Sequence, residues 1–329
     1  MIRRHFHHRA GALFAALCLL PLDPLASRAQ TPAPITIVVF TAPSLGALLP
    51  GVIKEQKFDQ ANGLDISFAA RTPDAYTAQF DSGEFQLGGS AAVLTVGLAD
   101  LRGIKVSYLF NLFDYWGAVV SQRPEIKTLT DLRGKTLAAA KGTTNYEMFA
   151  WFAKRKGLDV ASIDVVNTAT PGLIGYALAD RADAVQLWEP AYSLLLAKLP
   201  AIRTLDLDIP GEWGKFSNTA HIPYLGVAAH QSWVDEHRDL VPKLYQTYEA
   251  AARWIVAYPD TGGLAASNST EADRQALAQL IRDNTRLGMN VASASALRPD
   301  IEAVYRAGMS LGFFDKMPSP GTIYSGPME

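Results

Sequence analysis

The sequence predicts an α/β protein of two lobes joined by two chain crossings. Three observations carry this reading. Strand and helix patterns alternate from Ile35 onward, the alternation restarts after Trp116, and a helical stretch closes the chain. The 329 residues suffice for two ordinary domains, and a hydrophobic content of 49% can fill their cores. Lobe one is expected at residues 31–117 plus 225–329, and lobe two at 118–224. The two crossings form a hinge, and a ligand belongs between the lobes at the carboxyl ends of strands.

The chain opens with the pattern of a secretory signal. Arg3, Arg4 and Arg9 form a basic start, Gly11 to Leu20 is apolar, and Ser27-Arg28-Ala29 offers small residues at a cleavage site. A ten-residue apolar run is too short to span a bilayer. Residues 1–29 are therefore expected to be a removed signal peptide, and the mature protein to be periplasmic. Their loss removes Arg3, Arg4, Arg9, Arg28 and Asp23, moving the formal charge from −2 to −5. It also removes Cys18, the one cysteine, and with it any disulfide or thiol chemistry.

The elements of lobe one follow in order. Ile35–Phe40 is a β-branched run, expected as a buried strand. Ser44–Lys57 reads as helix despite Pro50, Leu64–Ala69 as a strand entered through the Asn62-Gly63 turn, and Asp74–Phe80 as helix. Phe85–Leu87 is expected as a short strand, with Gly88-Gly89 turning into a helix over Ala91–Asp100. Lys105–Phe110 is a strand. This βαβαβα order predicts a mostly parallel sheet.

In lobe two the expected strands are Ala118–Ser121, Lys135–Ala139, Asp164–Thr168, Ala184–Leu187 and Ala201–Leu205. Thr144–Lys156 is the clearest helix. Thr144-Asn145-Tyr146-Glu147 reads as a capping box with Thr144 as the cap, and Gly157 as a left-handed terminator. Pro171–Ala179 and Trp188–Lys198 are also helical. Asp206–Pro223, rich in Gly, Pro and Asn, reads as loop. A strand over Gly226–Ala229 and a long amphipathic helix carrying Leu240, Leu244, Tyr248 and Ile255 on one face follow. Helices over about 270–287 and 299–311 finish the body, and an irregular tail follows Met317.

No basic excess points to nucleic acid. The histidines left after signal removal, His221, His230 and His237, are dispersed, and no metal or cofactor motif appears.

Residues 126–190 carry a family likeness. Ile126-Lys127-Thr128-Leu129-Thr130-Asp131-Leu132-Arg133-Gly134-Lys135-Thr136 is followed by Lys141-Gly142-Thr143-Thr144, Lys156-Gly157-Leu158-Asp159, Ala182-Asp183-Ala184 and Trp188-Glu189-Pro190. Gly63-Leu64-Asp65-Ile66 and Phe80-Asp81-Ser82-Gly83-Glu84-Phe85 extend it into the first lobe. The set resembles the nitrate/sulfonate/taurine-type periplasmic binding proteins of ABC importers, relatives of the thiamine-precursor binders. The resemblance implies a type II periplasmic binding protein fold with a two-crossover hinge. It also implies a small-molecule ligand, delivery to an inner-membrane ABC permease with its ATPase, and a monomer with no enzymatic activity.

Candidate ligand contacts lie at strand ends. Thr143, Thr144 and Asn145 open a helix, where exposed amides and the dipole attract anions. Ser90 follows two glycines that let backbone approach a ligand, and Thr41 and Ser44 follow the first strand. In each case capping a helix is the competing role. Tyr115 and Trp116, near the first crossing, are placed to stack on a ligand or to pack the hinge. The resemblance places Trp188 and Glu189 at the cleft: Trp188 is a cleft wall or part of the core, and Glu189 either receives an amine or pairs with the helix N-terminus beside it. The ligand class expected is a small organic anion, an amino-sulfonate or a pyrimidine. Two enzyme alternatives stand beside this. One is a thiamine-pyrimidine synthase-like activity, which an export signal disfavours. The other is a hydrolase, because Gly88-Gly89-Ser90-Ala91-Ala92 partly mimics a nucleophile elbow.

Overall fold

Among the described residues, eleven strands, in chain order, build two sheets: β1 (Ala33–Phe40), β2 (Leu64–Arg71), β3 (Leu87–Ala92), β4 (Val106–Asp114), β5 (Ala118–Ser121), β6 (Thr136–Ala139), β7 (Asp164–Asn167), β8 (Ala184–Leu187), β9 (Arg203–Leu205), β10 (Pro223–His230) and β11 (Met289–Ser293). The computed structural model describes Met1, residues 32–261 and residues 270–328. Apart from Met1, the signal segment expected at 1–29 lies outside the described residues.

The first sheet has the order β11-β4-β10-β3-β1-β2 and the second β7-β6-β8-β5-β9. Neither is mostly parallel, which corrects the expectation. β1 pairs in parallel with β2 and β3, but β10 runs antiparallel to both β3 and β4, and β11 antiparallel to β4. In the second sheet β6 is parallel to β7 and β8, while β5 is antiparallel to β8 and β9. Two of the antiparallel strands, β5 and β10, flank the chain crossings. The chain leaves the first sheet between Asp114 and Ala118 and re-enters it at Pro223, so returning β10 opposes the strands it joins.

Several helices follow their sequence signals closely. The stretch expected as one helix over 44–57 is a 3₁₀ turn (Leu45–Ala47) and then an α-helix (Leu48–Gln56). The restart places Pro50 in a first turn, where its missing amide costs nothing. The long amphipathic helix is Leu240–Ala257, with Leu240, Leu244, Tyr248 and Ile255 buried. The helix over Thr144–Arg155 ends at Gly157, whose φ is +83°.

Other local expectations are overturned. Gly88-Gly89 does not turn: β3 runs straight through both glycines to Ala92, and the helix after it is Val93–Leu101. The reason is space. A Cβ on Gly88 would lie 2.2 Å from the Tyr76 hydroxyl oxygen, and one on Gly89 2.8 Å from that of Tyr248. These glycines admit neighbouring side chains to a central strand rather than bending the chain. The segment read as loop over 206–223 contains a helix, Ile209–Phe216. Its signal was legible: Pro210 stands in the first turn, and Ile209, Trp213 and Phe216 share one face. β11 has no counterpart among the strands the sequence predicts. It is a five-residue edge strand, set by its pairing to β4 rather than by its own pattern. The tail is irregular but packed: Ile323 bridges Tyr108, and Thr322 and Ile323 are buried.

Contacts between the lobes are extensive. Helix Thr144–Arg155 packs on helix Arg298–Ser310, and Trp151 donates from Nε1 to Ser310 Oγ at 3.1 Å. Helix Glu271–Arg282, expected with lobe one, packs on helix Ala191–Lys198 of lobe two, where Lys198 meets Asp273 at 2.7 Å. Among the described residues no helix is long and apolar enough to cross a membrane.

Candidate functional site

A cavity of about 180 Å³ lies between the two sheets. Its first-lobe wall comes from the loop after β1 (Thr41, Pro43, Ser44), the helix Pro73–Asp81, and the end of β3 (Ser90, Ala92). Its second-lobe wall is residues 141–145, at the start of helix Thr144–Arg155, with Trp188 after β8. Tyr224 and Leu225 of β10 lie between the two walls.

The helix start is built differently from the sequence expectation. The cap is Thr143, not Thr144, and no capping box forms: Thr143 Oγ1 accepts from the Tyr146 amide at 3.2 Å and donates to the Ala140 carbonyl at 2.8 Å. Thr144 is thereby released from capping. Its hydroxyl has no partner although the residue is only 3% exposed. The amides of Thr144 and Asn145 fall in the first turn and have no acceptor within the helix. Lys141, exposed beside them, adds a positive charge. The left-handed Gly142, at φ +78°, makes the turn that brings this chain segment to the cavity. Lys141 was not singled out from sequence, although it stands in the same motif.

Asn145 ties the walls together. Its Nδ2 donates to the Tyr224 hydroxyl at 2.6 Å, and its carbonyl accepts from Gln186 Nε2 at 3.2 Å, while its Oδ1 is unpartnered. On the opposite wall, Ser44 precedes the 3₁₀ turn without capping it through its side chain, and its buried hydroxyl is also unpartnered. The Tyr76 hydroxyl lies against the Ser90 backbone without a hydrogen bond of good geometry. Burial pushes the Tyr76 and Tyr224 hydroxyls well above their ordinary value, so both stay neutral donors. Buried polar atoms without partners are uncommon in folded proteins. Here Ser44, Tyr76, Thr144 and Asn145 all border one cavity.

Of the candidates, the structure brings Thr41, Ser44, Ser90, Thr143, Thr144, Asn145 and Trp188 around this cavity. Ser90 is neither a helix cap nor exposed. It sits within β3, fully buried, and its hydroxyl accepts from the Phe40 amide at 2.9 Å. The histidines among the described residues bond elsewhere: His221 to Asp114, His230 to the Phe80 carbonyl and His237 to the Trp233 carbonyl.

Tyr115 and Trp116 do not border this cavity but a separate groove. Tyr115 packs the hinge, its ring stacked on Phe152 with centroids 5.7 Å apart. Glu189 does not border the cavity, and both of its oxygens are engaged elsewhere. Its carboxylate accepts from Ser193 N at 3.0 Å, Ser193 Oγ at 2.9 Å and Arg286 Nε at 3.1 Å. The sequence could not show this, because Arg286 comes from 97 residues downstream.

Burial is the largest influence on Glu189 and raises its pKa, against the opposing pull of Ser193 and Arg286. A carboxyl whose folded pKa is raised stabilises the fold below its unfolded pKa, and that contribution is lost as pH rises through the folded value. Relative to wild type, Glu189→Gln is therefore expected to melt progressively higher as pH goes from about 4 to about 7. Calorimetric melting of both proteins across that range checks this. A difference moving the other way would show that the Arg286 pair outweighs burial.

The family model described as "NMT1/THI5 like" matches residues 52–262. Solved structures share the fold at low sequence identity. The alkanesulfonate-binding protein SsuA from Xanthomonas axonopodis pv. citri, bound to MOPS, has a TM-score of 0.72 and 15% identity, covering 89% of this chain and 98% of that one. The periplasmic aliphatic sulphonate binding protein SsuA from Escherichia coli has a TM-score of 0.70 and 14% identity, covering 91% and 94%. A Candida albicans gene product described as having the generic periplasmic binding protein structural fold has a TM-score of 0.63 and 12% identity, covering 91% and 97%. The fold is thus that of the periplasmic binding proteins, as the sequence resemblance implied. No curated protein sequence matches this chain.

Proposed function

Because this chain belongs to the NMT1/THI5-like family, we propose that it is the solute-binding component of an ABC importer and captures a small organic anion between its lobes. The observation that carries the anion is the buried, unpartnered Thr144 hydroxyl at a free helix start, with Lys141 beside it. Two amides and one hydroxyl converging at a positive helix end suit a sulfonate or carboxylate head. The rest of the cavity offers Phe40, Tyr76, Trp188 and Leu225, a surface for a short apolar or aromatic body. Its volume lies below the roughly 300–1,000 Å³ of drug-sized pockets, which favours a compact ligand. The sulfonate-binding proteins that share this fold agree with such a head group.

The amine-receiving role expected for Glu189 falls away, since its oxygens are already taken. An amino-sulfonate would instead rely on Asp74, the carboxylate that borders the cavity. Binding proceeds by hinge closure, in which the ligand meets one wall and the other closes over it. The Asn145–Tyr224 bond is one contact that closure completes. The protein works in the periplasm after signal removal and hands its ligand to a permease and ATPase.

A thermal-shift screen of alkanesulfonates, taurine, aromatic carboxylates and pyrimidines tests this. A true ligand at about a hundred times its Kd should add roughly 2.7 kcal/mol of stability. If no anion shifts melting while an ester is turned over, the binding role is wrong.

A further inference from the structure

The hinge carries a second concavity whose chemistry is opposite to that of the cleft. It is a groove of about 460 Å³, walled by residues 114–118 of the first crossing and by residues 204–222 around the second. Its charged lining is acidic only: Asp114, Asp206 and Asp208, with no lysine or arginine. Asp114 is satisfied by His221 Nδ1 at 2.7 Å and Asn290 Nδ2 at 3.1 Å. Asp206 and Asp208 have no ion-pair partner among the described residues. Asp206 Oδ1 accepts only the Asp208 amide, at 2.8 Å. The nearby Lys215 pairs with Glu212 at 2.7 Å and also interacts electrostatically with Asp208, leaving Asp206 as the less compensated of the two.

A second observation points to a ligand. Tyr115 is 4% exposed, and its hydroxyl has no partner. That hydroxyl stands over Gly117, where a Cβ would come within 2.5 Å of it, and both residues border the groove. Trp116, half-buried on the same wall, offers an aromatic ring. No group of His, Cys, Asp or Glu among the described residues converges to hold a metal ion. Dispersed carboxylates, an indole and an orphaned hydroxyl match an extended organic cation better than a metal. The carboxylates supply charge, the indole face a cation–π contact, and Tyr115 a hydrogen bond.

We propose that this hinge groove binds an organic ammonium ion, independently of the anion cleft. Isothermal titration of the purified protein with choline and with 1,4-diaminobutane tests it. At least one probe should bind saturably. Affinity should fall by roughly tenfold in an Asp206→Asn/Asp208→Asn double variant and in Trp116→Ala, each checked for unchanged melting. Thr144→Asp, a change in the cleft, should leave it intact. If neither probe binds wild type, the proposal is wrong. It is equally wrong if every folded groove variant binds as wild type does, or if Thr144→Asp abolishes the binding.

Discussion

Thr144→Asp is expected to weaken anion binding in the cleft by about a hundredfold while the protein remains folded. Thr144 is the first residue of helix Thr144–Arg155, and Thr143 does the capping. An acidic side chain in a first helical turn is favourable to the helix dipole, which offsets part of the cost of burying a carboxylate there. For the ligand the sign reverses. An anionic head about 5 Å from a fixed negative charge loses roughly 3 kcal/mol at an effective dielectric near 20, about two powers of ten in affinity. Thr144→Ser, which keeps the hydroxyl, should retain most binding. Titrating both variants with the best anion from the screen, alongside their melting curves, separates the effects. An aspartate variant that binds as tightly as wild type would remove the helix start from the site.

Trp151→Ala is expected to give the largest loss of stability, roughly 3–5 kcal/mol. Trp151 is 3% exposed. Its ring packs edge-on against Trp213 at 5.5 Å and Phe216 at 4.9 Å, and the Arg155 guanidinium lies 4.9 Å from its centroid. Its indole N–H also crosses to Ser310. Truncation leaves a cavity, removes one face of the Arg155 cation–π contact, and loses a hydrogen bond between helices of different lobes. Trp151→Phe should recover much of the packing but not the bond, so it should cost less in denaturant melts. If Trp151→Ala costs under about 1 kcal/mol, the cluster collapses around the gap and the packing account fails.

The residues that mislead from sequence share a cause. Gly88-Gly89 resembles a turn locally, and nothing within ten residues says that Tyr248 comes close enough to require a glycine. Thr143 and Thr144 are equally good caps as residue types, so one position decides which hydroxyl is spent and which is free. Glu189 looks like a cleft carboxylate until Arg286 arrives from the C-terminal helices. The missed helix Ile209–Phe216 is different: its proline and apolar spacing were visible but were outweighed by a glycine- and proline-rich composition.

From the sequence alone came the α/β class, the restart after Trp116, the family, and the strand-end segments that border the cleft. These depend on periodicity and short-range spacing, which a linear chain displays directly. Tertiary structure decided the mixed strand directions, the exchange of capping from Thr144 to Thr143, the diversion of Glu189 to Arg286, and the removal of Tyr115 and Trp116 to a hinge groove. Each depends on which distant group takes up a hydrogen bond or fills a volume, and that competition exists only once the chain is folded.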